Sequence, residues 1–206
     1  METWAIFTGD IVKSSAMTRA ELTAVFDRLE EGAEAIAAWQ DAPSRLTRFR
    51  GDGWQLAVQP ALSFRAALTL RAAVRRGAKT ADTRIAIGFG QANLGQDDLA
   101  KADGEALVAS GHALDNMPRN RRLTAPNAPR ALQCALPLAD RLAAGWTMRQ
   151  AEVAYYMLAP ARPAQAALAA RLDLTQQSVQ GHVDAGGVEA LLEVCDLIEE
   201  SEAGFQ

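Results

Sequence analysis

Histidine and cysteine are scarce. His112 and His182, with Cys134 and Cys195, are the whole complement in 206 residues, and no Cys-x-x-Cys pair occurs, so neither a zinc cluster nor a disulfide framework is expected. No apolar run approaches the ~18–20 residues that a membrane-spanning helix needs. The opening Met-Glu-Thr-Trp also lacks the basic flank of a secretion signal. The expectation is a cytoplasmic protein with no membrane partner. The 15 Gly and 8 Pro are scattered and aromatic residues are only 6% of the chain, which excludes collagen-like and low-complexity architectures. What is present, 49% hydrophobic and 22% charged residues, is enough for one substantial core with a small appendage.

Basic residues thin out towards the end. Residues 1–136 hold 17 Lys/Arg against 15 Asp/Glu, whereas residues 137–206 hold 4 against 10, and none lies between Thr175 and Gln206. Affinity for nucleic acid comes largely from Lys and Arg at phosphates, so DNA binding by this part must overcome a deficit.

Trp4–Thr8 reads as a strand stopped by Gly9-Asp10. A helix from Arg19 to about Trp39 follows, with Leu22, Val25, Phe26, Leu29, Ala33 and Ile36 on one face and a Thr18/Glu21 capping box at its start. Pro43 breaks the chain. Residues 45–50 and 54–58 flank Gly51-Asp52-Gly53 as a hairpin. A second helix ends near Gly77, where Arg71, Arg75, Arg76 and Lys79 complement its dipole, and Thr83–Gly90 forms another strand. The order β-α-β-β-α-β predicts an α+β, ferredoxin-like sheet. Further helices are expected over residues 104–116 and 131–144, and Arg119, Arg121 and Arg122 form a second basic cluster. After Thr147 the chain turns to short helices, giving two expected domains, residues 1–140 and 146–206.

In this topology the first strand lies antiparallel to the third, so Asp10 and Asp52 converge at one rim, roughly 5 Å apart across the strands. Like charges at that spacing repel unless a cation lies between them. Mg²⁺, or Mn²⁺, takes hard oxygen ligands and often shares them with phosphates. Asp10, Asp52 and the Ile11 carbonyl form such a set, with Lys13, Ser14 and Ser15 beside a helix start that favours phosphate. A nucleoside triphosphate is the ligand class that fits. The alternative is that both aspartates only shape turns.

Three segments carry a family resemblance. Gly9-Asp10-Ile11-Val12-Lys13-Ser14-Ser15, Arg50-Gly51-Asp52-Gly53-Trp54 and Thr83-Arg84-Ile85-Ala86-Ile87-Gly88 resemble, in order and spacing, the two metal-binding segments and the following strand of class III nucleotidyl cyclases. With its end taken in, the chain resembles the SatD-like family of bacterial proteins. The resemblance implies a cyclase-like fold and a nucleotide site in which Arg48 stands where cyclases place a base-recognising Lys. It also implies an Asn and an Arg on the helix after the fourth strand, yet residues 104–114 contain neither, and Ser110 and His112 are the polar candidates there. The Gly-Gly-Asp-Glu-Phe signature of diguanylate cyclases is absent as well.

Residues 163–180 resemble the core of a bacterial helix-turn-helix. Thr175, Gln176, Gln177, Ser178, Gln180 and His182 are the candidate DNA-reading face, since amides and hydroxyls read base edges. A homodimer would double the contacts. The function expected is a regulator with a nucleotide- and metal-binding domain coupled to a helix-turn-helix. The alternatives are an active nucleotidyl cyclase or transferase, and a nucleotide-independent interaction scaffold.

Overall fold

The computed structural model describes residues 2–42, 45–49, 51–94 and 99–203; Pro43 and Arg50, used in the reading above, lie outside the described residues. β1 (Glu2–Ile11), α1 (Arg19–Trp39), β2 (Thr47–Phe49), β3 (Gly53–Val58), α2 (Ser63–Gly77) and β4 (Thr83–Asn93) follow the β-α-β-β-α-β order. Their sheet runs β2-β3-β1-β4, with β1 antiparallel to both β3 and β4, as in a split βαβ arrangement. Past β4 come β5 (Asp103–Gly104), α3 (Glu105–Asp115) and β6 (Leu123–Thr124), and both short strands pair with β4. The chain is therefore α+β.

α1 starts where its local chemistry requires. The Thr18 hydroxyl accepts the Glu21 amide at 3.2 Å and the Glu21 carboxylate accepts the Thr18 amide at 2.8 Å, the reciprocal capping box. Val25, Phe26, Leu29, Ala33 and Ile36 then bury one stripe against the sheet and α2.

The first strand runs further than its sequence suggests. Gly9-Asp10 reads as a turn, but Gly9 pairs with Trp54 and Ile85, and Asp10 with Gly53 and Arg84. A strand hydrogen-bonded on both sides has no reason to stop there. Gly9 is needed instead for close approach, because a Cβ at this position would overlap the Trp54 ring and the Arg84 carbonyl.

Every residue of α2 from Ser63 to Val74 is buried, two arginines among them. The cause is a second helical layer of α4 (Arg130–Ala144), α5 (Met148–Met157), α6 (Gln165–Leu172), α7 (Gln176–Gly186) and α8 (Val188–Ala203). Leu136, Ala151, Val179 and Leu191 belong to the same buried cluster as Phe26 and Leu68, so the core runs across residues 140–146 without interruption. Arg75 and Arg76 do stand in the last turn of α2, where cations suit the dipole, but Arg71 has a different role. Arg71 is fully buried and pairs with Asp82 at 2.9 Å and Asp140 at 2.6 Å, while Arg75 donates to the Trp146 carbonyl at 2.6 Å. Arg65, equally enclosed, donates to the Leu158 carbonyl at 3.0 Å and pairs with Asp196 at 2.7 Å and with Glu199. These arginines fasten one layer to the other.

Cys134 is exposed and Cys195 buried. Burial pushes the Cys195 thiol up to about 12, so almost no thiolate forms at neutral pH. Titration with a disulfide reagent at pH 8 is expected to modify one thiol per native chain and two in denaturant. Two rapid equivalents in the native state would contradict the packing of α8. Among the described residues no helix is long and apolar enough to cross a membrane.

Candidate functional site

Side chains alternate across a strand and registered antiparallel partners share a face. Gly9 and Trp54 are partners, and Trp54 lies in the core cluster with α1 and α2, so Asp10 and its partner Arg84 point to the opposite face. α3 covers that second face further along the strands. The structure brings Asp10 and Asp52 to one rim: Asp10 pairs with Gly53 in register, and the Ile11 amide donates to the Asp52 carbonyl at 3.3 Å.

Each carboxylate is already engaged. Arg84 Nε donates to Asp10 Oδ1 at 2.8 Å and its terminal nitrogen grips Oδ2, a bidentate pair. The Ser14 hydroxyl donates to Asp52 Oδ2. The hydrogen bond to Asp10 holds the Arg84 guanidinium above its ordinary value against partial burial, and the charges of Asp10, Asp52 and Asp115 act in the same direction. Thr83 positions the strand end by donating to the Asp10 carbonyl at 2.7 Å while accepting the Trp54 indole N–H at 3.0 Å. Sequence reasoning missed Arg84, Thr83 and Asp115 as neighbours of this site. The register of β1 against β4 was the signal for the first two.

Lys13 is exposed and left-handed (φ 58°, ψ 30°), at the start of a short 3-10 turn over Ser14–Ala16 that brings Ser14 to Asp52, while Ser15 stays exposed beside it. Arg48 stands on the α1 face instead, its guanidinium 3.5 Å over the Phe26 ring. Ser110 is buried on the sheet-facing side of α3, bonded to the Thr8 hydroxyl at 2.7 Å and to the Leu107 carbonyl at 3.0 Å, and there it locks the helix to β1. His112, two residues on, is exposed.

On α7, Thr175 caps the helix by accepting the Ser178 amide at 3.1 Å, and Gln176, Gln177 and Ser178 are exposed. The Gln180 amide group is taken up by Gln165 at 2.6 Å and Asp184 at 2.7 Å, and His182 is half-buried.

Among the described residues no group of three or more His, Cys, Asp or Glu side chains could hold a metal by themselves. Two carboxylates at one rim nonetheless suit Mg²⁺, which commonly takes one or two protein carboxylates and completes its shell with phosphates and water. The donor chemistry fits a metal that arrives with a nucleotide.

No family model matches the chain, and no curated protein matches it. Among solved structures it is similar to a bacterial light-regulated adenylyl cyclase at 17% identity and a TM-score of 0.43, over 59% of this chain and 42% of that one. It is similar to the guanylyl cyclase Cya2 at 13% identity and a TM-score of 0.44, over 59% of this chain and 73% of that one. It is also similar to the dimeric guanylyl cyclase domain of the RhoGC fusion protein from the aquatic fungus Blastocladiella emersonii, at 17% identity and a TM-score of 0.40, over 56% of this chain and 75% of that one. The chain thus spans less than half the length of the first of these structures.

Proposed function

We propose that the chain is a cytoplasmic, SatD-like regulatory protein that binds a nucleoside triphosphate with Mg²⁺ at the rim of Asp10 and Asp52. The observation that supports this reading is that Asp10 and Asp52, 42 positions apart in the chain, stand at one rim of the sheet, with Arg84 paired to Asp10 and its charge favoured by both. Asp10, Asp52 and the Ile11 carbonyl would hold the metal, which when bound supplies positive charge to the phosphates. Lys13, Ser14 and Ser15 would face the phosphates, and Arg84 would exchange Asp10 for a phosphate oxygen. α6 and α7, joined by a three-residue turn, are the output, with Gln176, Gln177 and Ser178 available to a DNA groove in a homodimer. A protein-contact output is the second reading, favoured by the lack of any Lys or Arg after Arg171 and by the engaged Gln180 amide.

The test is thermal shift across nucleoside triphosphates with and without Mg²⁺. At a hundredfold excess over Kd, a nucleotide stabilises by about 2.7 kcal/mol, or about 5–10 °C for a chain of this size. Asp52→Asn is expected to weaken Mg²⁺-dependent binding at least tenfold while the unliganded Tm is kept, because an amide still accepts the Ser14 hydroxyl. Unchanged binding by that variant would refute the site. Anisotropy at low salt on the DNA upstream of its own coding sequence decides the output, and failure to bind favours the protein contact.

A further inference from the structure

A second concave site lies where α1 and α2 meet α5 and α6. It is a shallow, open hollow of about 470 Å³ lined by Arg28, Arg76 and Arg171 from three helices. Arg76 stands 3.8 Å over the Tyr155 ring and Arg171 4.3 Å over the Tyr156 ring. Arg76 is also 5.7 Å from the Tyr156 ring centre and donates to its hydroxyl at 3.3 Å, so one tyrosine has two cations beside it.

The carboxylates do not match this charge. Glu31, on the α1 wall, answers both Arg28, at 3.0 Å, and Arg76. Glu34 lines the same wall. On the α6 wall, Arg171 stacks on Tyr156 and makes no ion pair among the described residues. The Arg76 side chain is only 8% exposed, and its Nε–H has no acceptor. Glu31 joins Arg28 to Arg76, so the guanidinium left without a counter-charge is Arg171, and an anion beside it would relieve its repulsion with Arg76.

We propose that this hollow binds a phosphate oxyanion, which bridges Arg171 on one wall to Arg76 and Arg28 on the other. Planar guanidiniums present paired N–H groups that match phosphate oxygens, and stacking on tyrosine holds them in place beforehand. Arg171 is the seventh residue of α6, and α7 begins at Gln176, so a ligand here ties the pair of helices to α1 and α2. The site is separate from the Asp10–Asp52 rim and stands whether or not that rim binds nucleotide.

Free phosphorylated solutes and the DNA backbone offer the same group. Calorimetry on the full chain with inorganic pyrophosphate, in Mg²⁺-free buffer containing a chelator, tests the site directly. The unaltered chain is expected to bind, Arg171→Met to bind at least tenfold more weakly, and Asp52→Asn to bind normally. Arg171 is exposed and stacks only on Tyr156, so its replacement leaves the core untouched. No binding, equal binding by Arg171→Met, or loss confined to Asp52→Asn would overturn the proposal. If pyrophosphate binds, competition against a labelled duplex separates the sources: displacement that depends on Arg171 identifies the DNA backbone, and the absence of duplex binding identifies a free solute.

Discussion

Arg71→Met is expected to lower the unfolding free energy by about 3–5 kcal/mol, the range for removing one partner of a buried ion pair. The fully buried guanidinium satisfies two carboxylates at once, Asp82 through Nε and its second terminal nitrogen, and Asp140 at 2.6 Å through the first. Methionine fills much of the volume and leaves both acids without their main counter-charge. Asp140 also accepts the Arg122 amide at 2.9 Å, so the seat of β6 weakens with it. Guanidinium denaturation followed by circular dichroism measures the loss. Adding Asp82→Asn to Arg71→Met should recover part of it, since one stranded charge is then removed. A loss below about 1 kcal/mol would mean that solvent reaches this cluster, contrary to its burial.

Gly88→Val is expected to cost about 3 kcal/mol, at the upper end of overpacking penalties. A Cβ at Gly88 would overlap the Ala106 carbonyl oxygen and the Ser110 amide nitrogen, both backbone atoms of α3 that cannot turn aside. The helix must lift from β4, which separates the hydroxyls of Thr8 and Ser110 and opens the face behind Asp10. Urea titration gives the energy, and nucleotide thermal shift should weaken in parallel. Full stability in this variant would show that α3 does not seat directly on the strand.

Features written in short stretches of chain were legible in advance. The Thr18/Glu21 box, the cap at Thr175 and the hairpin around Asp52 depend on residues within a few positions of one another, and so does the stripe on α1. That Asp10 and Asp52 stand at one rim was legible because strand order follows from the sequence of elements. What escaped depends on partners far away. Arg65 and Arg71 look like the polar side of an amphipathic helix until α4 and α8 supply Asp140 and Glu199, the latter 134 positions on. Ser110 looks like a solvent-facing ligand until Thr8 takes its hydroxyl. Gly9 carries the usual mark of a turn, and the close approach of the Trp54 ring and the Arg84 carbonyl is what calls for glycine within this strand. The engagement of Asp10 by Arg84 needed the exact register of two strands 74 positions apart.

Asp82 has a mechanical consequence. Its carbonyl receives the Val12 amide just past β1, and its carboxylate holds Arg71, Arg75 and the Thr83 amide. One residue thus ties the loop behind the Asp10–Asp52 rim to the arginines that clamp the outer helices. α7 belongs to the same frame, since Val179 and Val183 are fully buried in the core that these arginines adjoin.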